Sequence, residues 1–206
     1  KPGIRVVPDT FTQTQVYFAR QFPSPAQMKD YYEHLLFSSA FGESMSSRLF
    51  QTIREEEGLC YSIYSSRAYF KDASLWLIHA TTMPGLSEKL LQAVARELER
   101  VRTEPISGKE LDEAKLQIKG QIILSRQDVE VRMKRLARQF IAMGDLMSGK
   151  EVFRVIDAVD EADIRRLTER LFADDNAALL VYGAEELEDI LNNAPVLTRF
   201  STGRRD

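Results

Sequence analysis

Apolar positions along the chain follow two periods, and each predicts a different element. Between Thr14 and Phe22 the side chains alternate, with Val16, Phe18 and Phe22 on one side and Gln15, Tyr17 and Ala19 on the other, which predicts a half-buried strand. Leu59–Tyr69 and Leu75–Thr82 are rich in aromatic and β-branched residues, and their short connection near Lys71-Asp72 predicts antiparallel pairing. Ala177–Tyr182 is a further apolar run of strand length.

Helical spacing fills the intervals. Ser24-Pro25 predicts a helix start leading into residues 25–40 with Tyr32, Leu35, Leu36 and Phe37. Gly42 interrupts it, and a second run over 45–56 carries Leu49, Phe50 and Ile53 before Gly58 closes it as a left-handed cap. Leu86, Leu90, Leu91, Val94, Leu98 and Val101 form one stripe of period 3.6. Ser107 and Glu110 then make a capping box, with Ile106 and Leu111 as its hydrophobic staple. The stripe Leu111, Ala114, Ile118, Ile122, Val129, Leu136, Phe140 predicts one long helix kinked near Gly120 or Ser125. A turn at 144–149, a short helix, and a second staple-and-cap around Asp160 and Asp163 follow, with a short acidic helix expected at 185–192. Residues 1–12, with two prolines and a glycine, read as an interdomain linker ahead of a domain over 13–206. The order is not the alternating βαβα pattern; it predicts an α+β fold, helices on one face of a mainly antiparallel sheet.

Composition narrows the function. Apolar residues at 44% and charged residues at 29% describe a globular protein, and 28 basic against 31 acidic residues leave no excess for nucleic acid or an anionic membrane. No run of apolar residues is long enough to span a bilayer. Cys60 is the only cysteine, so no intrachain disulfide and no thiolate zinc site can form, which fits a reducing, cytoplasmic setting. The chain starts without methionine and closes on a polar stretch, so a fragment of a longer protein is expected.

Little in the residues offers chemistry unaided. The histidines are His34 and His79; the latter reads as a packed strand residue. Asp30-Tyr31-Tyr32-Glu33-His34 looks like an H-x-x-E-H zinc helix with Asp in place of the first His, but lacks a third ligand, so no metal is assigned. There is no G-x-S-x-G elbow and no phosphate-cradling glycine loop, and Cys60 beside Tyr61 reads as a small buried hydrophobe. The basic run Arg126–Arg138 is interleaved with Asp128 and Glu130 and reads as a solvated face. By bare chemistry the chain does not complete a catalytic site.

One segment carries more. Gly42-Glu43-Ser44-Met45-Ser46-Ser47-Arg48-Leu49-Phe50-Gln51-Thr52-Ile53-Arg54, then Gly58-Leu59-Cys60-Tyr61-Ser62, then Glu110–Lys115 and Ile156–Asp160, resembles in order the C-terminal half of insulinase/pitrilysin-type zinc metallopeptidases, the inverzincins, which include mitochondrial processing peptidase subunits. The resemblance spans roughly residues 13–185. It implies two related α+β halves facing each other across a cavity, with zinc held by the N-terminal half and not by this chain. The C-terminal half then supplies an arginine and a tyrosine that reach the substrate, and these fall on Arg54 (substrate contact) and Tyr61 (oxyanion or substrate carbonyl contact). Where that family often carries a run of glycines ahead of this block, only Gly42 stands here, which bears on how freely the loop moves.

The implied activity is peptide-bond hydrolysis by a zinc metalloendopeptidase of which this is the substrate-binding half, inactive in isolation. Its implied partners are the N-terminal half, in the same chain or as a second subunit, and a peptide or unfolded-protein substrate, with a homodimer of the full-length protein left open. The alternative is a non-catalytic substrate-recognition or assembly subunit of the same fold, against which the presence of both Arg54 and Tyr61 argues. Without the resemblance, Arg54 pairing with Glu55–Glu57 and Tyr61 anchoring the core is the plainer reading.

Overall fold

A computed structural model describes residues 3–70, 73–144, 146–173 and 177–183. Five strands form one sheet in the order β1-β5-β2-β4-β3: β1 Gly3–Pro8, β2 Thr14–Phe22, β3 Ser62–Tyr69, β4 Ser74–Thr82 and β5 Ala177–Gly183. Every pairing is antiparallel except β1 with β5. The helices are α1 Met28–Ser38, α2 Ser87–Thr103, α3 Gly108–Leu124, α4 Val129–Met143, α5 Gly149–Ala158 and α6 Glu161–Leu171. Two π-helical segments, Ser39–Glu43 and Phe50–Glu56, lie between α1 and β3. The predicted α+β class holds. The helix predicted at 185–192 lies outside the described residues.

The alternation of β2 sorts its side chains as expected. Val16, Phe18 and Phe22 are buried with Trp76 and Ile78 of β4, Ile63 of β3, and Leu179 and Val181 of β5. Trp76 sits among aromatic rings, 5.6 Å from Phe37, 5.5 Å from Phe41 and 6.5 Å from Phe18 between centroids. The stripe of α2 is buried against this core, as are Leu111, Ala114, Ile118 and Ile122 of α3. The box at Ser107 forms, Glu110 accepting from Ser107 N at 2.8 Å, and Asp160 and Asp163 repeat it at 3.0 and 2.8 Å.

Three expectations need correction. Gly3–Pro8, left in a linker by its two flanking prolines, is an edge strand; its partner β5 lies at the far end of the described chain, beyond the reach of a local reading. The first helix begins at Met28 rather than at Pro25, because Ser24 Oγ donates to Phe70 O (2.6 Å) and does not cap, while Asp30 accepts from Ala26 N and Gln27 N, both at 3.2 Å. The long helix is two, divided by a 3-10 turn at Ser125–Gln127, and beyond that turn Val129 and Phe140 are exposed instead of core.

The sheet face away from the helices is organised in rows set by the register. Tyr182, Gln15, Thr81 and Ser62 form one row, and Leu180, Tyr17, His79 and Tyr64 the next. The His79 ring stacks on Tyr17 (4.4 Å) and meets Tyr64 edge-on (5.1 Å), and its Nε2 is hydrogen bonded to Gln15 Oε1 at 2.6 Å. His79 is thus the packed, hydrogen-bonded residue its strand position predicts.

Candidate functional site

Arg54 and Tyr61 lie on the two sides of the Gly58 turn, where the second π-helical segment hands the chain to β3. The turn needs glycine: φ is +63° at Gly58, a left-handed conformation that other residues adopt at a cost of about 1–2 kcal/mol. Before it, Glu57 N bonds Thr52 O (3.0 Å) and Leu59 N bonds Ile53 O (3.1 Å), closing the widened helical turns. After it, Thr82 Oγ1 donates to Leu59 O (2.6 Å) and Tyr61 N to Thr81 O (2.8 Å), so the approach to β3 is tied to the end of β4. Ile53, fully buried, pins the segment to the core.

Both side chains are accessible. Tyr61 is 52% exposed, so it does not anchor the core. The Arg54 guanidinium lies 4.7 Å from the Phe50 ring centroid, a cation–π contact that leaves its edge N–H donors open, and its ion pair with Glu55 is long at 3.9 Å. The plainer reading of Arg54 as a partner of its acidic neighbours is therefore met only by that loose contact; Glu57 pairs instead with Arg96, at 2.6 Å. Between the two, Cys60 is half-buried and free, and burial pushes its thiol up to about 11, Arg54 opposing, so it is a protonated thiol at neutral pH and not a nucleophile.

The segment bearing Arg54 is held from behind. Arg48 donates to both carboxylate oxygens of Glu110 and to the carbonyls of Glu104 and Pro105, at 2.6–2.9 Å. A Cβ at Gly42 would stand 2.8 Å from Leu49 Cδ1 and 2.9 Å from Ser65 Cβ. That glycine is required by close packing of the first π-helical segment on Leu49 and β3, not by loop mobility. Neither the π-helical geometry nor the Arg48 anchor shows in local sequence; the one signal for the anchor is Glu110 at a capping-box position.

The zinc-like string on α1 binds nothing of that kind. Asp30 caps the helix, Glu33 is buried beside Arg170 (3.5 Å), and His34 stacks on Phe22 at 4.3 Å. Burial first, then the charges of Arg170 and Arg67, push the His34 imidazole down to about 3, so it is neutral and walled in by aromatic rings. Among the described residues no group of three or more His, Cys, Asp or Glu side chains could hold a metal ion. The residues present do not fit a zinc site.

Residues 1–118 match the family described as Peptidase M16 inactive domain, more than half of the chain. The chain belongs to that family. An uncharacterized zinc protease of Bacillus subtilis is 30% identical to it over 150 residues, which is 73% of this chain and 37% of the relative. A peptidase M16 inactive domain from Pseudomonas fluorescens superposes with a TM-score of 0.78 at 21% identity, over 90% of this chain and 44% of that one. A chain of complex III2 from Candida albicans gives 0.76 at 17% identity, over 96% and 49%. At these identities the solved structures share the fold, and the chain spans about two fifths of the length of the B. subtilis relative. No helix among the described residues is long and apolar enough to cross a membrane.

Proposed function

We propose that this domain is the C-terminal, substrate-binding half of a zinc metalloendopeptidase, joined through residues 1–12 to the half that holds the metal. Zinc in that half supplies Lewis-acid chemistry at the scissile carbonyl, and this chain contributes no ligand to it. Tyr61 donates its phenol O–H to the carbonyl oxygen as negative charge grows there, a contact that strengthens toward the transition state. Arg54 offers a planar fork of donors to a substrate carbonyl or carboxylate. The peptide lies extended beside β3, the edge strand next to Tyr61.

The observation that carries this reading is the pair itself. Arg54 and Tyr61 stand exposed on a segment fixed by Ile53, Arg48 and Thr82, which is an expensive arrangement for two surface side chains without a task. Tyr61→Phe in the full-length protein is expected to lower kcat for peptide hydrolysis by about 100- to 1,000-fold with folding intact, as removal of one oxyanion donor does elsewhere. Arg54→Ala is expected to raise KM. Unchanged hydrolysis in both variants would overturn the role assignment and favour the recognition or assembly subunit, a use of this fold compatible with its likeness to a chain of the Candida complex.

A further inference from the structure

Helix α4 is inside out. Val129, Met133, Leu136 and Phe140 recur at i, i+4, i+7 and i+11 and therefore share one face. Of these, Val129 is 80%, Met133 59% and Phe140 58% exposed, and the adjoining Ile141 and Leu124 are 83% and 77% exposed. The side turned to the body is polar instead: Gln139 is buried and Arg135 half-buried. Arg135 Nη1 and Gln139 Nε2 are buried without a hydrogen-bond partner among the described residues. A surface helix normally buries its apolar stripe. Here the stripe has no cover, and the seat beneath it is imperfect.

We infer that the α4 ridge is the surface on which the remainder of the longer protein docks, its partner being the companion polypeptide outside these 206 residues. This rests on the reading that such a half exists. Three observations select that occupant. The B. subtilis and Rickettsia bellii relatives are covered over only 37% and 42% of their lengths, so a body at least as large as this domain has to be seated somewhere. The rim is of mixed charge, with Asp128, the Glu130–Lys134 ion pair and Arg132, which suits the polar border of a protein interface and not an anionic lipid surface, where basic residues dominate. The ridge is also small. At 15 residues it is about 22 Å long and 10–12 Å across, roughly 250 Å² in projection, well short of the ~800 Å² per partner of a stable dimer. A contact of that size holds a partner already tethered in the same chain, where effective concentration does the rest.

The test is peroxide oxidation of Met133 in the full-length protein, followed by peptide mass spectrometry. Met133 is expected to oxidise roughly tenfold more slowly in the parent than in a Phe140→Asp/Ile141→Asp variant, because oxidation follows exposure. Both substituted side chains are exposed in this domain, so the variant keeps its core. Equal rates in parent and variant overturn the inference. So does protection that vanishes on dilution, which would mean a second copy, or protection that needs anionic vesicles, which would mean a membrane. Catalysis plays no part in this readout. A protected Met133 in a protein whose Tyr61→Phe variant hydrolyses normally would keep the docking surface and remove the peptidase reading; an open Met133 with a dead Tyr61→Phe variant would do the reverse.

Discussion

Arg48 and Glu110 lie 62 positions apart and meet through two parallel hydrogen bonds, Nε to Oε1 at 2.6 Å and Nη2 to Oε2 at 2.8 Å. Glu110 Oε2 also accepts from Ser107 N and Oγ, so one carboxylate both caps α3 and holds the helical run that leads to Arg54. Burial alone would raise this carboxyl; the hydrogen bonds from Arg48 and Ser107 outweigh it and bring it down to about 2.

Arg48→Met is expected to destabilise the domain by about 2–3 kcal/mol, since it strands a partly buried carboxylate. The Glu110 carboxyl lies lower folded than unfolded, so its stabilisation is complete above the ordinary glutamate range and is lost as pH falls from that range toward about 2. Urea midpoints measured across that window should fall for the parent and stay nearly flat for Glu110→Gln. A matching acid slope in the variant would refute the coupling.

Gly42→Ala is expected to cost about 1–3 kcal/mol, the usual range for overpacking, because its Cβ would collide with Leu49 and Ser65. Thermal unfolding of Gly42→Ala alone and combined with Leu49→Ala checks it: the second change should recover part of the loss. A fully stable Gly42→Ala would mean that the glycine serves loop motion after all.

Glu33 responds to pH in the opposite sense. Burial, then the nearby charges of Asp163 and Asp30, raise its carboxyl above the ordinary range. A raised folded value means that stability is full below the unfolded value and is lost as pH rises through the folded one. Glu33→Gln should therefore gain roughly 1 kcal/mol over the parent at mildly alkaline pH and nothing at acid pH. Denaturation curves at the two pH values decide; a loss at alkaline pH would show that the Arg170 contact outweighs the burial.

Strands β2 to β5 were legible because one face of each is buried, which leaves a period of two in the residues themselves. The stripes of α2 and of α3 up to Ile122 and the boxes at Ser107 and Asp160 were legible for the same local reason. What escaped depends on distant partners. Gly3–Pro8 has no alternation, since a parallel edge strand half-covered on both faces needs none. The stripe of α4 looks like any core stripe, because periodicity reports that a helix has an apolar side and not what meets it. Arg54 and Tyr61 were singled out by likeness to a family, and spacing alone would not have separated them from neighbouring surface residues.

The position of β5 has a consequence for biosynthesis. It slots between β1 and β2 although it is the last of the five strands to be translated. Until residue 183 has cleared the ribosome, β2 presents a bare flank and β1 hangs as a loose tail. A nascent chain stalled before Ala177 would carry the β2-β4-β3 meander with a sticky border open to other molecules. Chaperone dependence during synthesis, rather than marginal stability afterwards, is the vulnerability this topology builds in.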